Sequence, residues 1–136
     1  MIQHPQSNGP ERRRPRSAFT LLEVLIVVSI IVILASLGGY YAFRAYEDAQ
    51  ISEAKIKATS ISKALEGYKL NNSGTYPNDL NELVHPPSGR PYLGPEELLD
   101  PWGKPYQFDA NGPHNNGLKA DVYTQTPQGQ TVGNWK

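Results

Sequence analysis

One carboxylate, Glu23, stands near the start of an apolar run, RSAFTLLEVLIVVSIIVIL at residues 16–34. An ionised carboxylate at the centre of a bilayer costs about 2.5–3.5 kcal/mol, less toward an interface, and such residues mark function within membrane segments. Without a partner it sits near the membrane face; with a cation it forms a pair that sets the register between segments. The other residues able to do chemistry form no pattern. His4, His85 and His114 lack the spacing of a metal site, and there is no G-x-S-x-G, Gly-rich phosphate loop or H-E-x-x-H. His114, in Pro113-His114-Asn115-Asn116, reads as a solvated turn residue. Asp100, in LLDPWGKPYQF, precedes a proline and reads as a turn starter rather than an acid or base. These residues point away from an enzyme.

The elements around Glu23 follow from charge and proline placement. From Phe19 to Phe43 the only formal charge is Glu23, and that length meets the roughly 20 residues a helix needs to cross a bilayer. Glu11 against Arg12, Arg13, Arg14 and Arg16 gives +3 before residue 18, so the neutral chain carries −3 beyond it. Cations before the run and none close after it put the N-terminus on the cytoplasmic side. The acidic remainder argues against a nucleic-acid partner. A cleaved secretory signal, with Ser36-Leu37-Gly38 as its small-residue site, is the alternative; the run is longer than the roughly 7–15 residues of a signal core and contains a carboxylate.

Helical periodicity continues past that run. Ile51, Ala54, Ala58, Ile61, Leu65 and Tyr68 recur at spacings of 3 and 4, one apolar stripe of an α-helix. All 12 prolines lie outside residues 16–76, so one helix from Phe19 to Leu70 is predicted, with Gly38-Gly39 its weakest point. Glu53 and Lys57 stand four apart on its exposed side. Asn78 is the expected N-cap of a short helix over 79–84. Residues 106–108 and 121–124 alternate as short strands do. The expected architecture is α+β: a long N-terminal helix, transmembrane in its first half and amphipathic in its second, packed on a small antiparallel sheet whose core is Trp102, Tyr106, Phe108, Tyr123 and Trp135. The chain contains no Cys, which excludes a disulfide framework or thiol chemistry.

Ala18-Phe19-Thr20-Leu21-Leu22-Glu23-Val24 after a basic leader resembles the type IV prepilin recognition sequence, in which a small residue, usually Gly, precedes Phe-Thr-Leu-Ile-Glu. The resemblance implies a pilin-like fold and a membrane-embedded prepilin peptidase that cuts between Ala18 and Phe19 and methylates the new N-terminus. Residues 1–18 are then a cleaved leader, 19–43 the transmembrane and filament-core helix, and 44–136 a periplasmic head. Cleavage creates an α-ammonium at Phe19, which the Glu23 carboxylate of a neighbouring subunit can pair with. LEGYKLNNSGTYPNDLNELV, PYLGPEELLDPWGKPYQF and DVYTQTPQGQTVGNW are similar to successive blocks of the major (G-type) pseudopilins of type II secretion systems. That implies an inner-membrane precursor that assembles with further copies of itself, minor pseudopilins and an inner-membrane platform into a short periplasmic filament that drives folded proteins outward.

The chain departs from that pattern in three places. Ala18 replaces the usual Gly, and Gly38-Gly39-Tyr40 stands where the family often has a proline. Family members commonly bind Ca²⁺ through acidic residues of the loop before the terminal Asn-Trp, yet residues 124–133 hold no carboxylate. Asp121 is the one acidic candidate ligand nearby, a poor site for an ion that takes roughly six to eight oxygens, so dependence on Ca²⁺ at this loop is expected to be weak or absent. Two other readings stay open: a type IV pilin or competence pseudopilin, and a membrane-anchored binding module that keeps its N-terminus and never assembles.

Overall fold

The computed structural model describes residues 18–135; of the leader read at residues 1–18, all but Ala18 lies outside the described residues. Helix α1, Leu21–Asn71, is continuous over 51 residues and departs from the predicted helix only at its ends. It passes through Gly38 and Gly39 without a break. The chain divides between Tyr40 and Tyr41 into two compact units, each described in turn.

In the first unit α1 carries Leu, Ile and Val in every direction, all exposed in the single chain, and the helix is long and apolar enough to cross a membrane. Its two serines hide their hydroxyls. Ser29 Oγ donates to the Leu25 carbonyl at 2.7 Å and Ser36 Oγ to the Val32 carbonyl at 2.8 Å, so neither presents an unmet polar group to hydrocarbon.

In the second unit the same helix is one-sided. Ala54, Ala58, Ile61, Leu65 and Tyr68 are buried as the stripe predicts, while Ile51, at its near end, is only half-buried. Against the stripe pack Leu80, Leu83, Val84, Leu93, Leu98, Tyr106, Ala120 and Val122. The sheet has three antiparallel strands in the order β1 (Gln107–Asp109), β2 (Asp121–Gln125), β3 (Thr131–Gly133). Phe108 pairs with Val122 and Thr124 with Val132.

The expected aromatic core is corrected. Tyr106 is buried and Phe108 packs on the core from its edge, but Trp102, Tyr123 and Trp135 are half-buried and stand outside the apolar cluster. Aliphatic side chains of the Pro-rich segment fill the space instead, since small Ala54 and Ala58 let that chain approach α1 closely. The short helix is corrected too. It is a single 3₁₀ turn, Leu80–Leu83, capped by Asp79, whose Oδ1 accepts from Asn81 N at 3.2 Å; the Asn78 backbone N–H donates to Glu82 Oε1 at 3.1 Å.

Tyrosines tie these layers together by their hydroxyls. Tyr106 donates to the Ala54 carbonyl at 2.9 Å and Tyr68 to Glu82 Oε2 at 2.6 Å. Tyr76 donates to Glu66, accepts from Ala120 N at 3.3 Å, and has the Lys69 ammonium 4.5 Å above its ring. Asp100 is buried and does turn chemistry: Oδ1 accepts from the N–H groups of Trp102 (2.9 Å) and Lys104 (2.7 Å), and Oδ2 from the Thr124 hydroxyl. Glu53 and Lys57 form the expected ion pair at 3.2 Å.

Two outcomes are expected. Leu65→Ala, emptying a fully buried site, costs about 2–5 kcal/mol by denaturant unfolding of the head, whereas Leu70→Ala, at a side chain 84% exposed, stays within about 0.5 kcal/mol. The Tyr68 hydroxyl, with help from Asn78 N–H, holds the Glu82 carboxyl below its ordinary range. A depressed carboxyl gives stability that is present above the unfolded-state value and lost as pH falls through the folded one. Tyr68→Phe therefore makes the fall in melting temperature from neutral to acid pH shallower than in the wild type.

Candidate assembly and processing site

The residues read as a processing and assembly site lie where α1 begins. Thr20 caps the helix: its side-chain Oγ1 accepts from Glu23 N at 3.2 Å and its carbonyl accepts from Glu23 N at 3.1 Å and Val24 N at 3.3 Å. Thr20-Leu21-Leu22-Glu23 has the residue types of a capping box. That signal was present in the sequence and gives Glu23 a role within one chain, because a carboxylate in the first turn faces the positive end of the helix dipole. Ala18, Phe19 and Thr20 precede the helix, outside regular secondary structure, and are exposed, Phe19 to 81%. The Ala18–Phe19 peptide bond is thus free of the helical hydrogen bonds that a protease would have to break. Glu23 is exposed as well, and its carboxylate is open to a group from another copy.

At the other end of the sequence Asp121 is 1% exposed and surrounded by donors. Its Oδ2 accepts from His114 N at 2.9 Å and lies 2.8 Å from His114 Nδ1; its Oδ1 accepts from Asn115 Nδ2 at 2.6 Å. Burial pushes the Asp121 carboxyl up, but the hydrogen bonds from His114 and Asn115 outweigh it and leave the group below its ordinary value. Asn134 faces the same cluster, its Oδ1 accepting from Val122 N at 3.0 Å and its Nδ2 donating to the Ala120 carbonyl at 3.0 Å. His114, expected as a solvated turn residue, is exposed at its rim yet stacks on Trp135 with ring centroids 4.2 Å apart. On the other side, a Cβ at Gly133 would come within 2.3 Å of the Trp135 ring, so the terminal tryptophan closes over His114 only because residue 133 is Gly.

These residues do not fit a Ca²⁺ site. A cation needs several oxygens whose lone pairs converge on one space, whereas those of Asp121 and Asn134 already receive N–H groups. Among the described residues there is no group of three or more His, Cys, Asp or Glu side chains able to hold a metal. The β2–β3 connection closes by itself: Thr126 N donates to the Gln130 carbonyl at 2.9 Å, Gly129 N to the Thr126 carbonyl at 2.9 Å, and Gln130 N to the Thr126 hydroxyl at 3.1 Å. Gln128 Nε2 reaches back to Glu47 Oε1 at 3.3 Å.

Two family descriptions match the chain. "Type II secretion system (T2SS), protein G" covers residues 42–136 and "Prokaryotic N-terminal methylation motif" covers residues 13–38. Among curated relatives, the type II secretion system core protein G of Pseudomonas aeruginosa is 34% identical over 91% of this chain and 98% of its own length. The proteins of that name from Aeromonas hydrophila and Vibrio cholerae are each 34% identical, over 91% and 92% of this chain and 95% of theirs. No solved structure matches.

The donor-filled surroundings of Asp121 give an expected outcome for metal removal. A ligand that binds only the native state raises stability by RT ln(1 + [L]/Kd). Melting of the head, residues 44–136, is therefore expected at the same temperature in millimolar Ca²⁺ and in chelator. An upward shift with Ca²⁺ that Asp121→Ala abolishes would contradict this.

Proposed function

The chain belongs to the type II secretion system protein G family, and on that premise we propose that it is a structural subunit of the periplasmic pseudopilus, polymerising to push folded proteins across the outer membrane. It is a building unit rather than an enzyme. The observation that carries the reading is the exposed stretch Phe19 to Glu23 at the head of a helix that is apolar on every side. Such a surface is stable only when covered. Lipid covers it in the precursor and helices of other copies cover it in the filament.

Prepilin peptidase cuts between Ala18 and Phe19, the small Ala18 side chain serving where Gly is usual, and methylates the Phe19 amine. The cytoplasmic leader is thereby removed from a single-pass inner-membrane protein whose head is periplasmic. Moving α1 from lipid into a bundle of like helices leaves each Glu23 in need of a cation, and the new α-ammonium of a neighbouring Phe19 supplies one. Mispaired registers leave both charges buried and uncompensated, which is far costlier than the pair itself is favourable. Minor pseudopilins and the assembly platform are the further partners. Gly38-Gly39, helical in the single chain, is the place where α1 loosens in the filament, having the lowest helix propensity of the run.

The N-terminal peptide is expected to begin at Phe19 and to carry one methyl group, read by mass spectrometry. In cells making Glu23→Leu the protein is expected in the membrane at wild-type level or above with filaments lost. Normal filament abundance from that variant would remove the charge pair from the account. An unbroken helical hydrogen-bond ladder through Gly38 and Gly39 in a filament map would remove the loosening.

A further inference from the structure

In the second unit the face of α1 turned away from the buried stripe is uncovered. Lys55, Ile56, Thr59, Ser60 and Lys63 line a groove of about 370 Å³ there, with Ile56 69% exposed and both lysines open to solvent. Thr59 spends its hydroxyl on the Lys55 carbonyl at 2.9 Å. Neither lysine ammonium has a partner among the described residues. Lys55 and Lys63 stand about 12 Å apart along the axis, with Ile56 between their levels. An apolar side chain between two unpaired cations suits a partner that brings carboxylates.

We infer that this face receives the acidic 3₁₀ turn Pro95–Leu98 of a second copy of the chain, an inference that rests on the filament reading and deepens it. The carboxylates of the head leave few other candidates. Glu53 pairs with Lys57, Glu47 accepts from Gln128, Asp79 from Asn81 and Asp109 from Asn111. Glu66 and Glu82 receive tyrosine hydroxyls, and Asp100 and Asp121 are buried. Asp48 and Glu96 are exposed and without a partner among the described residues. Seven residues bring Asp48 round to within about 20° of Lys55 on the same side of α1, so a contact between those two uses one patch on both copies and closes at a dimer. Glu96 lies elsewhere. Lys57 Nζ reaches the Leu99 carbonyl at 3.2 Å, which sets the end of the 3₁₀ turn on the Lys57 flank of the helix. Lys55 and Lys63 leave the helix about 160° and 120° away from that flank. The turn is therefore remote from the lysines of its own chain, and two unlike patches join copies head to tail without closing. Leu99, 45% exposed beside the turn, supplies apolar surface to cover Ile56. A single exposed ion pair is weak, but this one recurs at every step of a filament.

The test uses the full chain expressed with a prepilin peptidase and an assembly platform. Lys55→Glu with Lys63→Glu is expected to leave the membrane level unchanged and to lower filament abundance about tenfold or more, since like charges then face each other. Adding Glu96→Lys to that chain restores the filaments. Glu97 is left in place because its Oε2 accepts from Gly94 N at 2.8 Å and holds the turn. The chain contains no Cys, so Lys63→Cys with Glu96→Cys, oxidised in filaments, is expected to give a ladder of covalent oligomers, and either substitution alone nothing beyond a dimer. Wild-type filament abundance from the doubly reversed chain overturns the inference, as does a two-cysteine chain that stops at monomer or dimer. Loss that Glu96→Lys fails to restore assigns the lysines to another anion, a phospholipid headgroup among them, and overturns it too. Absence of filaments from the wild type itself overturns the filament reading and the inference together.

Discussion

Burial of one helical stripe organises the second unit. Ala54, Ala58, Ile61, Leu65 and Tyr68 form the floor on which the Pro-rich segment and the sheet are laid, and full burial of a side chain such as Ile61 or Leu65 stabilises by about 1.5–3 kcal/mol. The alanines matter as much as the large residues. At Ala54 the backbone lies bare enough for the Tyr106 hydroxyl to reach its carbonyl across 52 positions of sequence. A larger residue at position 54 would remove both the close approach and the bond.

A small core of this kind is usually reinforced by disulfides or metal. This chain has no cysteine, and its reinforcement comes from polar groups buried with their partners. Asp100 joins its own turn to β2 through Thr124; Asp121 joins β2 to the turn at Pro113–Asn115; at the edge of the core the half-buried Glu66 and Glu82 receive tyrosine hydroxyls. No buried side-chain donor or acceptor among the described residues lacks a partner. Such networks cost little when complete and much when one member is lost, so they specify a unique arrangement as well as stabilising it.

Helix α1 was legible because its evidence is long-range: an absence of proline, an all-apolar half, then a stripe with a steady period. The prepilin-like stretch was legible as a motif, although the cap made by Thr20 went unnoticed beside the more conspicuous carboxylate. Strand β3 left almost no trace, since Thr131-Val132-Gly133 holds one apolar side chain and owes its place to backbone pairing with β2. The core was misassigned because large aromatics were weighted above Leu80, Leu83, Leu93 and Leu98, which follow no period in a segment full of prolines. His114 and Trp135 meet only through the turn that Asp121 holds, a juxtaposition that local spacing does not encode.

The cap at Thr20 starts α1 from a residue downstream of the proposed cleavage bond. Its side-chain and carbonyl oxygens receive the first helical N–H groups, those of Glu23 and Val24, so the described first turn draws on no group before Thr20. On the proposed processing, cutting the Ala18–Phe19 bond changes the charge at the terminus and removes none of the groups that make the Thr20 cap.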